Sequence, residues 1–396
     1  MNAILSNIAE TRAQREKWYK DFHRNPELSS AEFRTIERIR TELKNMDIDT
    51  LVDVTDTGAV AIIDNGPGPV VALRGDIDAL PVVEETGLDD ASEVHGVMQA
   101  CGHDVHITTL LSTVDAFASQ RDAWSGTLVA VFQPAEETAS GARAMVEAGI
   151  ASVMPKPDVY LGQHVMASQA GVISMPEDAV MSTMESIRVR VFGAGSHGSM
   201  PHLGVDPIVL AAHIITRLQS VVAREISPFE FGVVTVGAVN AGTKSNIIPE
   251  TAELLINTRA MSVETQLQIR TAIERIIRHE CEAAGSPKEP TFEYYDRAPL
   301  TFNDAEARSV VAAAFTEAFG EEYKVVPPST ASEDFSVIPD ALGVPYVFWF
   351  VGGFENPETA PGNHSPFFAP ALQPTLDRSL EAFVVAASAW LAPTAP

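Results

Sequence analysis

Gln99-Ala100-Cys101-Gly102-His103-Asp104-Val105-His106 gathers a thiol, two imidazoles and a carboxylate between Cys101 and His106. Thiolate is a soft metal ligand and imidazole a borderline one, so Cys101 and His103 offer one transition metal two donors. Asp104 then supplies a carboxylate that orients a ring or tunes its basicity. A second interpretation fits these residues as well: a buried free cysteine beside an aspartate that caps a helix start. The flanking chain decides between them.

Upstream, apolar segments over 59–64 and 70–74 flank Gly66-Pro67-Gly68-Pro69, a spacing that predicts two strands joined by a tight turn. The second segment runs into Asp76-Ile77-Asp78, and side chains two apart on an extended chain point the same way. Before it, the pattern predicts a helix from Ile4 to Phe22, a break at Asn25-Pro26-Glu27 and a second helix opened by Ser29 with Glu32 three residues on. Downstream come an apolar helix over 107–117, a strand over 127–132 leading to Glu136-Glu137, and a strand over 158–165 that carries His164. Taken singly, these acids could cap loops or helix starts, and His164 could be a core histidine. Together, Asp76, Asp78, Glu136, Glu137 and His164 fall at or beyond the C-terminal ends of strands separated by helices. In α/β sheets that edge binds ligands, and one shared site accounts for all of them.

Between 181 and 297 the pattern changes to strands over 186–192, 231–239, 251–259 and 291–296, with helices starting at Asp206-Pro207 and spanning 262–284. This predicts a small α+β sandwich, ferredoxin-like, inserted in a larger α/β domain formed by 1–180 and 298–396, and placed to act as a lid. Its loop Gly193 to His202 is glycine-rich and carries His197 and His202. The larger domain resumes with a helix over 304–319, Ser332-Glu333-Asp334-Phe335, a strand over 345–350, Asn363-His364-Ser365-Pro366 and a last helix over 372–390.

The chain has 396 residues, more than one hydrophobic core usually serves, and its 45% hydrophobic and 20% charged content is that of an ordinary globular protein. With 27 basic and 53 acidic residues the formal charge is −26, which opposes nucleic acid and anionic membrane as partners. Charged residues among the first twenty, and no apolar run of spanning length, lead us to expect a cytoplasmic protein. Cys101 and Cys281 make no disulfide framework, and Cys281 reads as structural.

Arg74-Gly-Asp-Ile-Asp-Ala-Leu-Pro81, Cys101-Gly-His-Asp104, Phe132-Gln-Pro-Ala-Glu-Glu137, Gly162-Gln-His164, Gly195-Ser-His197, Asn246-Ile-Ile-Pro-Glu250, Ser332-Glu-Asp-Phe335 and Asn363-His-Ser-Pro366 cover nearly the whole chain. In this order they resemble the M20 metallopeptidases, in the aminoacylase and hippurate-hydrolase-like branch of amidohydrolases (subfamily D). The resemblance implies a metallopeptidase-type catalytic domain with an inserted lid and dimerisation domain. It also implies two divalent metal ions per subunit held by Cys101, His103, Glu137, His164 and His364, zinc first, with manganese, cobalt or nickel as alternatives.

On the same resemblance Glu136 is the general base toward a water held between the metals, and Asp78 and Asp104 support the ligands. His197 would bind the reacting carbonyl oxygen, and Asn246 and Arg259 the substrate carboxylate. The implied reaction is hydrolysis of an N-acyl-L-amino acid to a carboxylic acid and a free amino acid, by a homodimer joined through the inserted domain. A metallo-dipeptidase or carboxypeptidase acting on small peptides is the nearest alternative; a cysteine hydrolase using Cys101 and His103, and a non-catalytic binding protein, are the others. Gln163, where relatives carry an apolar residue, is expected to make the pocket wall more polar. Asp76 stands where other branches carry a metal-binding histidine. No family motif includes His106, which is read as packing or capping. Met98, Met166, Met175, Met181, Met184 and Met200 fit either an acyl pocket or the core.

Overall fold

The computed structural model describes residues 3–391. In chain order its elements are α1 (Ile8–Arg24), α2 (Phe33–Leu43), β1 (Thr50–Asp53), β2 (Ala59–Asn65), β3 (Val70–Asp76), α3 (His103–Ser119), β4 (Gly126–Gln133), α4 (Gly141–Glu147), β5 (Val159–Gln169), β6 (Ile173–Met175) and β7 (Ala179–Met181). There follow β8 (Thr183–Phe192), β9 (Ser196–His197), α5 (Pro207–Ser220), β10 (Gly232–Ala241), β11 (Ile247–Ile248), β12 (Thr251–Ala260), α6 (Val263–Ala283), β13 (Thr291–Ala298) and β14 (Thr301–Phe302). The chain closes with α7 (Ala305–Phe319), β15 (Tyr323–Val325), α8 (Val337–Leu342), β16 (Tyr346–Phe354) and α9 (Leu372–Leu391). It divides into two units: Met1–Val180 with Phe302–Pro328 and Asp334–Pro396, and Met181–Thr301 with Ser329–Glu333.

In the first unit eight strands lie in the order β1-β2-β4-β3-β5-β16-β6-β15. β4, β3, β5 and β16 run parallel at its centre. Every residue of β16 is buried, as is β5 from Val159 to Val165, because helices cover both faces and the strands need continuous apolar sequence rather than alternation. The apolar α3 packs against α1, α9 and β3, and Trp349 of β16 meets Phe315 of α7 and Phe383 of α9 edge to face. Register sets Asp76 beside Gln133 and Arg74 beside Gly162, so the turn after β4 and His164 on β5 reach the same sheet edge as Asp78.

Two local expectations change. β2 and β3 are not a hairpin: β4 lies between them, antiparallel to β2 and parallel to β3. The Gly-Pro-Gly-Pro turn passes over the start of β4, where a Cβ on Gly68 would come within 2.8 Å of Gly126 and Pro69 O accepts the N–H of Thr127 (2.8 Å). Nor does Ser29 cap α2. The Glu27 carboxylate accepts the N–H groups of Arg34 (3.1 Å) and Thr35 (2.7 Å), while Ser29 Oγ donates to Asp78 Oδ2 (2.6 Å). The tertiary acceptor wins over the local pattern because the helix begins only at Phe33.

The second unit is a four-stranded antiparallel sheet, β10-β12-β8-β13. Burial alternates along β12, and its inward Leu254 and Ile256 join Val189 and Val191 of β8, Leu210 and Ile214 of α5, and Ile269 and Ile273 of α6 in one core. Asp206 caps α5 by accepting from Ile208 and Val209, and Ser262 caps α6 by accepting from Thr265. Residues 329–333 belong here despite their distance in sequence: Ala331 O accepts the N–H of Ser182 (2.8 Å), and Arg259 Nη1 donates to Ser332 Oγ (2.9 Å). Among the described residues no helix is long and apolar enough to cross a membrane.

Candidate metal centre

Gly102 begins the site. It holds φ +84° at the N-terminus of α3, and a Cβ there would lie 2.3 Å from Val165 Cγ1, so glycine alone lets the chain turn between Cys101 and His103. Cys101 Sγ lies 3.5 Å from His164 Nε2. His364 Nε2 is 3.3 Å from Glu137 Oε2, and its loop is anchored by the His364 N–H donating to Ala100 O (2.7 Å). Ala135 and His364 both adopt positive φ, +49° and +71°, which costs a non-glycine residue of order 1 kcal/mol and persists where surrounding contacts hold it. Candidate ligand atoms of Cys101, His103 and His164, of Cys101, Glu137 and His364, and of His103, Glu136 and Glu137 lie within 4.8 Å of one another in each group.

Asp78 organises the opposite side. Its Oδ1 accepts the N–H of Glu136 and its Oδ2 that of Glu137, each at 3.1 Å, while its carbonyl accepts from His103 Nδ1 (2.9 Å). His103 therefore presents Nε2 to the cluster. His164 does the same, since its Nδ1 donates to Val165 O (2.7 Å). This is how ligating histidines are held in metal sites.

Whether these residues suit a cation can be judged from what they leave unsatisfied. No hydrogen bond reaches His103 Nε2 or Glu137 Oε1, both buried and 3.8 Å apart. Buried polar atoms without partners are costly, and a divalent ion between them supplies what is missing. The charge balance agrees. Burial pushes Glu137 up to about 7, with Asp78 and Asp76 adding to it against His103, and burial together with Glu137 pushes the Cys101 thiol up to about 12. Burial opposes a charged His103, but Asp76, Asp78 and Cys101 outweigh it and raise the ring well above its usual value. Burial and His106 hold His164 well below. Carboxylates crowded around buried imidazoles ask for positive charge, and the residues fit a metal pair. A thiol pushed upward is the reverse of what a cysteine nucleophile needs, which counts against the cysteine-hydrolase alternative.

His197, Asn246 and Arg259 belong to the second unit. His197, on β9, pairs with Ile247 of β11, and Gly198 N donates to Asn246 O (2.8 Å), so the structure brings His197 and Asn246 together. Ser199 N donates to His197 Nδ1 (3.2 Å), which places the ring proton on the exposed Nε2. Arg259, half-buried on β12, donates to Thr330 O (3.1 Å) and Ser332 Oγ (2.9 Å).

Three readings from sequence are corrected and one residue was overlooked. Asp104 faces α1 rather than the ligands: its Oδ2 is bonded to His23 Nδ1 (2.7 Å), whose Nε2 is 3.3 Å from Glu84. His23, wholly buried, went unnoticed because nothing nearby in sequence announces a partner 81 residues away. Gln163 does not line the pocket wall. Strand alternation turns it away from His164, so that it donates to Ser379 O (3.1 Å) and accepts from Trp349 Nε1 (3.0 Å). His106 does more than pack, since both its ring nitrogens are engaged, one with Asp76 and one with the Val165 N–H. Asp76 accepts from Arg74 Nη1 and from His106 Nδ1, each at 2.5 Å. Of the methionines, Met175 and Met98 are buried in core clusters.

The family model for peptidase family M20/M25/M40 matches residues 72–386. An N-acetylcysteine deacetylase of Bacillus subtilis (strain 168) is 34% identical over 85% of this chain and 88% of its own length. A thermostable carboxypeptidase 2 of Saccharolobus solfataricus is 33% identical over 84% of each. A Bacillus subtilis protein described as a dinuclear metal binding peptidase from the M20 family superposes with a TM-score of 0.78 at 29% identity, over 96% of this chain and 98% of that one.

Proposed function

Because the chain belongs to peptidase family M20/M25/M40 and is a metal-dependent amidohydrolase of that family, we propose that it hydrolyses N-acyl-L-amino acids, with Cys101, His103, Glu137, His164 and His364 holding two divalent ions and Glu136 as the general base. The observation that carries this is the pair of buried, unpartnered ligand atoms, His103 Nε2 and Glu137 Oε1, amid the other donors. When bound, divalent ions polarise a carbonyl and make a water acidic near neutral pH. Glu136, fixed through its own N–H by Asp78, takes the proton of the attacking water and returns it to the departing amide nitrogen.

His197 is assigned to the developing carbonyl oxyanion, supported by a ring proton held on an exposed Nε2. Asn246 and Arg259 are assigned to the substrate carboxylate, which the planar guanidinium matches with two parallel bonds. Zinc is the metal we favour for a site with a thiolate and imidazoles, ahead of manganese, cobalt and nickel. Homodimerisation through the inserted unit is supported by β10 lying at its sheet edge and by the exposed Leu203, Phe229, Val239 and Ile247. Cytoplasmic placement is supported by two free cysteines.

The relative named a carboxypeptidase favours a second reading, cleavage of small peptides. Hydrolysis of N-acetyl and N-benzoyl amino acids compared with free-amine dipeptides separates the two. Preference for the acylated substrates is expected; turnover of dipeptides alone would overturn the assignment.

A further inference from the structure

The backbone of Val165 has three side chains bonded to it, one at its N–H and two at its carbonyl. His106 Nε2 accepts its N–H (2.9 Å), so the His106 ring proton sits on Nδ1, from which it donates to Asp76 Oδ1 (2.5 Å). The Val165 carbonyl accepts from His164 Nδ1 (2.7 Å) and from Asn363 Nδ2 (3.2 Å). Its side chain is equally fixed: a Cβ on Gly102 would fall 2.3 Å from one Val165 methyl, and a Cβ on Gly353 2.8 Å from the other. The His106 ring packs edge-on against His164 with centroids 4.6 Å apart.

From these contacts we infer that His106 and Asn363 are positioning residues that hold the Val165 backbone at its N–H and at its carbonyl, and so hold His164 with its proton on Nδ1 and its Nε2 lone pair aimed at the metal. The inference rests on His164 being a metal ligand. The Val165 Cα joins the N–H held by His106 to the carbonyl that fixes the His164 ring, so pinning the N–H limits how far that carbonyl can turn about the two backbone torsions between them. Asp76 in turn prevents His106 from turning over to offer Nε2 as a donor. Asn363 ties the same carbonyl to the far side of the site, where its Nδ2 also reaches Cys101 O (3.4 Å). The Val165 carbonyl and the Asn363 amide thus link His164 to the segments that carry Cys101 and His364. Outer contacts of this kind set ligand orientation and metal affinity without touching the metal.

The test uses the full chain, with zinc alone as probe. Binding is measured by competition with a chromophoric chelator, and the His164 tautomer by ring nitrogen shifts of histidine-labelled, metal-free protein. His106→Asn keeps a donor near Asp76 but cannot reach the Val165 N–H; His106→Gln can place an acceptor there; Asn363→Ala removes the second contact. Wild type is expected to bind two zinc ions. His106→Asn and Asn363→Ala should each weaken one of them by roughly ten- to a hundredfold and leave the other unchanged, with His164 losing its fixed Nδ1 proton. His106→Gln should recover most of the affinity. If His106→Asn does not fold, the partly buried Asn363→Ala carries the same prediction. Folded variants that bind both ions as wild type does, with His164 still protonated on Nδ1, overturn the inference. Failure of wild type to bind zinc would instead overturn the metal centre, and this inference with it.

Discussion

Glu136 and Glu137 are adjacent, the N–H of each donates to a different oxygen of Asp78, and both carboxylates lie within 4 Å of His103 Nε2. Glu136→Gln should lower kcat by roughly two to four orders of magnitude, since it removes proton transfer. Its metal content by elemental analysis should stay that of wild type; loss of metal would make Glu136 a ligand instead. Asp78→Ala should do the converse and weaken metal binding by roughly ten- to a hundredfold, because the N–H groups of both glutamates lose the carboxylate that holds them. In the metal-free protein at neutral pH, Glu137 at about 7 is about half protonated and Cys101 at about 12 is protonated, and both must ionise to bind. Metal affinity should therefore rise with pH through and above 7, with proton release measurable by calorimetry in buffers of different ionisation heat; uptake with no pH dependence would contradict it. At this scale sequence was informative wherever a residue type announces chemistry, as Cys101, His103 and the paired glutamates do. It was silent on His23 and Gln163, and on the hold of His106 and Asn363 on the Val165 backbone, all fixed only by tertiary contacts.

Strands and helices deliver these residues, and their geometry explains which expectations held. Parallel strands ending at one edge bring Asp78, the turn after β4 and His164 together, which alternation and strand order made legible. The same alternation turns Gln163 away. The insertion of β4 between β2 and β3 could not be read, because a Gly-Pro-rich turn fits a hairpin and a crossover equally well. The start of α3 is tied to α1 through His23. Burial lowers its pKa, but hydrogen bonds to Asp104 and Glu84 outweigh this and raise it to about 10. A His raised in the folded state stabilises fully below its unfolded value near 6.5 and loses that stabilisation as pH rises through about 10. The Tm difference between wild type and His23→Leu should accordingly be largest near pH 6 and shrink toward pH 10; a constant difference would show His23 acting by packing alone.

For the molecule as a whole, the change from parallel α/β to antiparallel α+β patterning near residue 181 is written in hydrophobic periodicity, and the structure divides there. Inclusion of residues 329–333 in the second unit is not, since it depends on bonds to Ser182 and Arg259 far away in sequence. A formal charge of −26 and a site crowded with carboxylates suit a protein that gathers cations for a small substrate. Chelation should lower Tm as well as activity, because the ions bind the folded state and not the unfolded chain. The most direct test of the central claim follows hydrolysis of an N-acyl amino acid by purified protein stripped with chelator and titrated with zinc, manganese, cobalt or nickel. Activity should vanish on stripping and return as metal approaches two ions per subunit. Full turnover in metal-free protein, or none in protein loaded with any of these ions across a panel of acyl amino acids, would contradict it.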